Sequence, residues 1–308
     1  MNEPRKIDVL AVGGVDVDLV LKVPELPSFD EKVMGELVGR LPGGTVANFA
    51  CAASRLGLKV ASFANIGDDQ KGQAIIEDFQ RYSVDTSLIQ VVEGHESPFV
   101  VILIDPTGES AMVVVKTIDD KYPLDVAANI FSQTRMLYMM PNPRDQFLAL
   151  AQLAHEHGTE VMVDIESTSV DDRSQLERIL KQTDIANFNQ DGFKAATGQE
   201  PSFEAMRTLL DLGPHTVIVT RGKAGPLTVT ANEEAEQAGF EVPVVDTTGA
   251  GDTFNAAFLR GTLRGEPLAK RLRFASAAAA LSVMALGPRG HLPTPEEVEV
   301  FLEERNAN

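Results

Sequence analysis

The run Asp246-Thr247-Thr248-Gly249-Ala250-Gly251-Asp252 places small residues and a carboxylate between the apolar stretch EVPVV and the helical run TFNAAFL. Small residues at a strand-to-helix junction leave backbone N–H groups unblocked. Together with the helix dipole these groups form a cradle for an anion. Gly249, Ala250 and Gly251 would make that cradle, with Asp252 at the helix mouth beside it. A carboxylate next to an anion hole suits phosphoryl transfer. The amides would steady the charge on the moving phosphoryl group while Asp252 takes the proton of an attacking hydroxyl. An Asp at a helix start is also an ordinary cap, and the run alone leaves both readings open.

Two other clusters have spacing suited to ligands. Asp16 and Asp18 follow the first apolar run, IDVLAVGG. Ligand groups in α/β sheets gather at the C-terminal ends of strands, and residues two apart on an extended chain share a face. Carboxylates there would accept hydrogen bonds from sugar hydroxyls, unless one of them caps a turn. Gly43 and Gly44 allow close approach of the backbone. Asn48, one helical turn beyond Gly44, either reaches back to a hydroxyl or caps the helix. Thr220-Arg221-Gly222-Lys223-Ala224-Gly225 follows the strand TVIV and supplies a hydroxyl, pliable backbone and two cations for phosphate charge. It reads equally as a turn into the next strand. The five histidines are scattered, and His155 and His157, two apart on a helix, diverge, so no zinc constellation exists. The single cysteine, Cys51, excludes an intrachain disulfide and reads as a packed residue.

The elements that must position these groups alternate. Residues 7–14 read as a buried parallel strand and 33–40 as a strand with mixed faces. The run PGGTVANFACAASRLGLKV becomes a helix lined with small residues and ended by Gly57. KVASFANIG is the next strand, and a helix is expected over roughly 72–84. Further strands are expected at 135–140, 159–166, 184–189 and 216–222, with two short ones within 226–245; closing helices fall at 248–265, 268–286 and 295–304. Such alternation predicts a doubly wound, mostly parallel α/β sheet. Residues 98–115 break the pattern as two apolar runs joined by Asp105-Pro106-Thr107-Gly108, a hairpin signal. The expectation is one α/β domain over 1–308 with a discontinuous β lid from about 15–42 and 96–118. In the lid, Phe99, Val101 and Leu103 alternate, as do Met112 and Val114. One such face would cover a sugar ring and exclude water, or pack on its own neighbours or a second subunit. Exposed lid edges make a lid-to-lid homodimer an expectation.

The chain has 308 residues, 44% of them hydrophobic, which is ordinary globular usage. A net charge of −18, from 27 Lys+Arg against 45 Asp+Glu, disfavours nucleic acid as a partner. No signal-peptide pattern opens the chain, and the longest weakly polar stretch, 274–286, is too short and too rich in Ala and Ser to span a bilayer. A cytoplasmic protein without a membrane partner is expected. No GxxxxGK[ST] occurs, and GGVDVD lacks GxGxxG.

DTTGAGDTFNAAF strongly resembles the C-terminal signature of the PfkB/ribokinase family of carbohydrate and nucleoside kinases. Gly43-Gly44-Thr45-Val46-Ala47-Asn48 matches the family's N-terminal glycine-rich signature, and Ile66-Gly67-Asp68-Asp69 with Gly72 resembles its GxDxxG stretch. The matches run in order over essentially the whole chain. The resemblance implies a doubly wound sheet flanked by helices, a β lid over the acceptor, and ATP-dependent phosphorylation of a hydroxyl of a small sugar or sugar acid. Asp252 would be the base and residues 249–251 the anion hole. The acceptor would meet Asp16, Asp18, Gly43, Gly44 and Asn48, with Asp18 the better fit of the two acids. The nucleotide would meet Thr220, Gly222 and Gly225, the family's T-x-G-x-x-G stretch, with Ser276 at the adenine edge. Asp246 and Thr248, with backbone near 283–287, match a monovalent-cation position, implying potassium.

Two departures stand out. Thr45 occupies a place where ribokinases proper usually carry Lys. Asn189-Gln190-Asp191-Gly192 matches the N-x-x-E motif with Gly192 in the position of its Glu, which normally organises water on Mg²⁺. Asp191, or a carboxylate from elsewhere, would have to substitute. Mg²⁺ and ATP are still expected, with Asn189 acting on the metal through water. A nucleoside kinase of the same fold and a non-catalytic sugar-binding relative are the alternatives; 3 Tyr, no Trp and 15 Phe do not decide whether a base has a shelf.

Overall fold

The opening apolar run becomes β1 (Ile7–Val12), an interior strand between β4 (Val60–Phe63) and β9 (Thr134–Met139). The computed structural model describes residues 5–107 and 109–306. From β9 the sheet continues through β10 (Glu160–Ile165), β11 (Ile185–Asn189) and β12 (Thr216–Thr220), all parallel. It ends in two antiparallel strands, β13 (Leu227–Thr230) and β14 (Glu234–Glu236). Apolar strands of this kind need cover on both faces. Val9, Ala11, Met136, Tyr138 and Met162 pack on a layer containing α1 (Thr45–Arg55), α2 (Gln70–Arg81), α8 (Ala250–Leu263), α9 (Leu268–Ser282) and α10 (Pro295–Asn306). Their neighbours Leu10, Val12, Leu137, Val161 and Val163 pack on α3 (Leu124–Phe131), α4 (Arg144–Glu156), α5 (Arg173–Leu180), α6 (Gln190–Thr197) and α7 (Phe203–Leu210).

A second sheet forms the lid, in the order β3 (Glu36–Gly43), β2 (Asp16–Lys22), β7 (Phe99–Ile104) and β8 (Ser110–Val115). The strand expected at 33–40 instead runs on to Gly43, because its pairing with β2 sets Asp16 opposite Gly43 and Asp18 opposite Leu41. The parallel pairing of β2 with β7 sets Asp18 beside Val100 and Val20 beside Ile102. Asp16, Asp18, Val20, Val100 and Ile102 therefore share one face, and Val20, Val100 and Ile102 are its buried cluster.

This corrects the expected lid lining. Phe99, Val101 and Leu103 point to the opposite face, where the Lys71 ammonium lies 5.3 Å from the Phe99 ring. Met112 and Val114 do lie on the Asp18 face, opposite Ile102 and Val100, but on the edge strand they stay 59% and 64% exposed. Alternation reveals two faces, whereas only strand register says which one is inward. Gly108, assigned to the hairpin turn, lies outside the described residues; Asp105 Oδ1 accepts from the Thr107 and Glu109 amides on either side of it.

The helix expected at 72–84 begins earlier, at Gln70. Asp69 caps it by accepting from the Gly72 amide at 2.9 Å, and it ends at Arg81. Unexpected elements are α3 and β6 (Gln90–Val92), which pairs in a short ribbon with β5 (Asn65–Gly67), the end of the strand expected at KVASFANIG. Among the described residues no helix is long and apolar enough to cross a membrane.

Candidate active site

The mouth of α8 is set by Gly249, which takes the left-handed conformation (φ 78°) where a Cβ would lie 2.8 Å from Pro288. Ala250 N–H donates to the Thr247 carbonyl at 3.2 Å and Thr253 N–H to the Gly249 carbonyl at 2.9 Å. The amides of Gly249, Gly251 and Asp252 have no acceptor among the described residues. Nothing lies within 4 Å of the place a Gly251 Cβ would take, so the front of this cradle is open. Of the expected cradle, the Ala250 amide is used by its own chain, and the open amides at this mouth are those of Gly249, Gly251 and Asp252.

Asp252 is buried, and its Oδ2 accepts from Asn48 Nδ2 at 3.0 Å. Its Oδ1 has no partner among the described residues. Asn48 Oδ1 accepts in turn from Arg289 Nε at 3.0 Å, which turns the amide so that its NH₂ end faces the carboxylate. Arg289 also donates from Nη2 to the Gly43 carbonyl at 2.9 Å and from Nη1 to Asp78 on α2. Burial pushes the Asp252 carboxyl well above the usual range. The Asn48 hydrogen bond and the Arg289 charge work against that push, and the charges of Asp164 and Glu166 add to it.

Asp16 and Asp18 meet over Gly43. A Cβ there would collide with Asp16 Oδ1 and lie 2.7 Å from Asp18, so only glycine leaves room for both carboxyl groups. Burial, then the Asp18 charge, raises Asp16 to about 7 against a pull from Arg289. Burial raises Asp18 to about 6, again offset by Arg289. Asp16 Oδ1 is buried with no hydrogen-bond partner. That orphaned oxygen, beside a space a Cβ would fill, fits a polyol whose hydroxyls donate.

Sequence reasoning missed a buried network beneath α8. Asp164 accepts from Asn187 Nδ2 and from Asn255 Nδ2, both at 2.9 Å, and Asn255 also reaches the Tyr138 hydroxyl at 3.2 Å. Tyr138 stacks on Phe49 of α1 with ring centroids 3.5 Å apart. Burial, with the Glu166 charge, raises Asp164 to about 7 against the two amides. The available signal was a lone Asp and a lone Asn inside apolar strands, at positions facing the α8 layer. Arg289 was missed as well, because its partners are distant in sequence.

Of the residues expected to meet the nucleotide, Thr220 donates from Oγ1 to the Phe188 carbonyl at 3.3 Å. Gly222 opens a 3₁₀ turn that Gly225 closes. Arg221 is committed to the Gly225 carbonyl and to Glu236, at 2.9 and 2.6 Å, which leaves Lys223 as the cation without a partner among the described residues. Ser276 is buried on α9 and its Oγ has no partner among the described residues. The three open amides, the Lys223 ammonium and the Ser276 hydroxyl each have the chemistry that a nucleotide's phosphate chain and base would use.

Asn189 caps α6, accepting from the Gly192 amide at 2.6 Å. A Cβ on Gly192 would collide with the Ile165 carbonyl and lie 3.0 Å from the Glu166 carbonyl carbon. No side chain fits at that position. Glu166 follows β10 directly and, by alternation, shares the Asp164 face; its carboxylate has no partner among the described residues, and burial raises its pKa. Asp191 is exposed. Asp246 Oδ1 accepts from the Thr248 amide and hydroxyl at 2.9 and 2.7 Å, and Oδ2 from the Gly287 amide at 2.9 Å. Those oxygens are held by donors of their own chain. Among the described residues no group of three or more His, Cys, Asp or Glu is placed to hold a metal directly.

A family model described as pfkB family carbohydrate kinase matches residues 6–295. The chain belongs to the pfkB family. Within it, a ribokinase of Bacillus subtilis (strain 168) is 32% identical over 301 residues, covering 96% of this chain and 99% of the relative. A 5-dehydro-2-deoxygluconokinase of Clostridium perfringens is 27% identical over 326 residues, covering 98% and 94%. The structure of Arabidopsis thaliana ribokinase complexed with ribose and ATP superposes with a TM-score of 0.87 at 25% identity, covering 96% of this chain and 99% of that one. The mixed central sheet between helical layers and the small lid of this chain are the pfkB architecture.

Proposed function

We propose that this pfkB-family kinase transfers the γ-phosphoryl group of ATP to a hydroxyl of a small sugar or sugar acid, with Asp252 as general base. The observation that carries the reading is Asp252 itself: one oxygen fixed by Asn48, the other without a partner, beside three amides that lack acceptors. The acceptor hydroxyl gives its proton to Asp252 Oδ1, its oxygen bonds to the γ-phosphorus, and the β–γ bridge breaks to leave ADP. The amides of Gly249, Gly251 and Asp252 would steady the phosphoryl oxygens. A carboxylate whose pKa is raised by burial is a stronger base than one in water.

Magnesium, bound with ATP, would neutralise phosphate charge. Asn189 and Glu166, rather than exposed Asp191, are the residues that would hold its water. Two relatives are named for acceptors of different charge, ribose and 5-dehydro-2-deoxygluconate, so the family leaves the acceptor class open. The lid exposes Leu37 and Val38 on β3 and Met112, Val113 and Val114 on β8, and a second copy is proposed to cover them. Sedimentation as a strict monomer at micromolar concentration would remove that dimer.

The test is Asp252→Asn, assayed over a panel of ribose, fructose, ketodeoxygluconate, adenosine and inosine. Turnover should drop by about 10²–10⁴ with sugar and nucleotide binding retained; undiminished turnover removes the base role. In the same assay Glu166→Gln should cost about 10–100-fold at limiting magnesium while Asp191→Asn costs nothing.

A further inference from the structure

We infer that the acceptor end of the cleft selects an uncharged polyol and disfavours a sugar acid or sugar phosphate. This rests on the kinase reading above and narrows its substrate class.

Asp16 and Asp18 converge over Gly43, and Asp16 Oδ1 is buried without a donor. Asp252 adds a third carboxylate, and the one amide beside it, Asn48 Nδ2, is spent on Asp252 Oδ2. The positive charge acting on both Asp16 and Asp18 is Arg289. Its side chain is only 6% exposed, and each of its three nitrogens is already bonded: Nε to Asn48, Nη1 to Asp78 and Nη2 to the Gly43 carbonyl. Arg289 is therefore a brace between α1, α2 and the end of β3, and it is turned away from ligand duty. The rest of the lid face is hydrocarbon: Val20, Val100 and Ile102 with Leu41 packed against them, and Met112 and Val114 on the edge strand.

The acceptor thus meets hydrogen-bond acceptors and hydrocarbon, with no uncommitted cation among the residues that act on the acid pair. Hydroxyl groups match this, since each can donate to a carboxylate and satisfy an oxygen that is costly to leave bare. A carboxylate or phosphate in the same place brings no donor. It also adds negative charge beside carboxylates in a partly desolvated site, where like charges repel strongly. Burial has already raised both acids of the pair, and the Asp18 charge raises Asp16 further, so a further anion has to be accommodated by protonating them.

The experiment compares D-ribose and D-fructose with D-ribonate and 2-keto-3-deoxygluconate. Phosphoryl transfer is measured with Mg-ATP, and binding is measured separately by calorimetry without nucleotide. For the unmodified protein, the better neutral sugar should exceed both acids by at least about 10-fold in kcat/KM and in affinity, the scale of one unfavourable charge contact worth about 1.4 kcal/mol. In Asp16→Asn the gap should narrow several-fold, because one charge is gone while the shape is kept. An acid that binds as tightly as the neutral sugars overturns the inference, as does a ratio that Asp16→Asn leaves unmoved or an absence of binding by both neutral sugars. Transfer that favours an acid leaves the kinase reading intact and removes only the charge preference. Neutral binding without transfer does the reverse. The comparison in the unmodified protein stands even if the variant folds poorly.

Discussion

The two ends of the cleft are built to opposite rules. At the mouth of α8, on the rigid central sheet, three backbone N–H groups point out with no acceptor. On the lid, Asp16 and Asp18 crowd a glycine and an oxygen waits with no donor. A buried polar group left unpaired costs about 1–3 kcal/mol, so a fold keeps an oxygen such as Asp16 Oδ1 where a ligand completes it. One end lacks anions and the other lacks hydroxyl donors. Under the proposed kinase reading, that difference sets the order of the reactants: phosphate over the helix, polyol under the lid, and Asp252 between.

The sharpest way to break that pairing is Gly43→Ala. Its methyl group enters the space shared by Asp16 and Asp18, so affinity for the acceptor should decrease by about 100-fold, the cost of displacing buried polar groups. Affinity for ATP, read by calorimetry on the same sample, should stay within about two-fold, because the α8 end is untouched. Equal losses for both ligands would show that the two ends are not separable.

A smaller effect distinguishes the ends by pH. Asp16 and Asp18 have folded pKa values of about 7 and 6, raised first by burial. A carboxyl raised on folding binds its proton more tightly in the native state. Its contribution to stability is therefore complete below the unfolded value near 4 and is lost as pH rises through 6 to 7. Asp16→Asn removes that loss. Its melting temperature should exceed that of the unmodified protein by a few degrees at pH 8, and by much less at pH 4. Amides at the α8 mouth do not titrate, so Gly251→Ala should shift melting equally at both pH values. A pH-independent gain in Asp16→Asn would mean the carboxyl is not strained by burial.

Legibility in the sequence followed chain distance. The α8 mouth was readable because everything that makes it lies in one run, from the left-handed Gly249 to the carboxylate three residues on. The acid pair was readable as two residues on one strand face, and Asn48 as one turn beyond a glycine pair. Arg289 was not readable, since its partners Gly43, Asn48 and Asp78 lie more than two hundred residues away. Nor was the Asp164 network, which needs β9, β10, β11 and α8 in place together. Neither set expected to line the lid, Phe99, Val101 and Leu103 or Met112 and Val114, forms its buried cluster, which the pairing of β2 with β7 places on Val20, Val100 and Ile102.

By itself, then, the sequence determined the alternating α/β order, the signatures and the candidate base, because periodicity and turn chemistry act over a few residues. Tertiary structure decided which lid face looks inward, that Gly192 admits no side chain while Glu166 stands beside it, and that Arg289 is committed to the frame. Those outcomes depend on register and on contacts between distant elements, and such contacts exist only once the chain has closed around them.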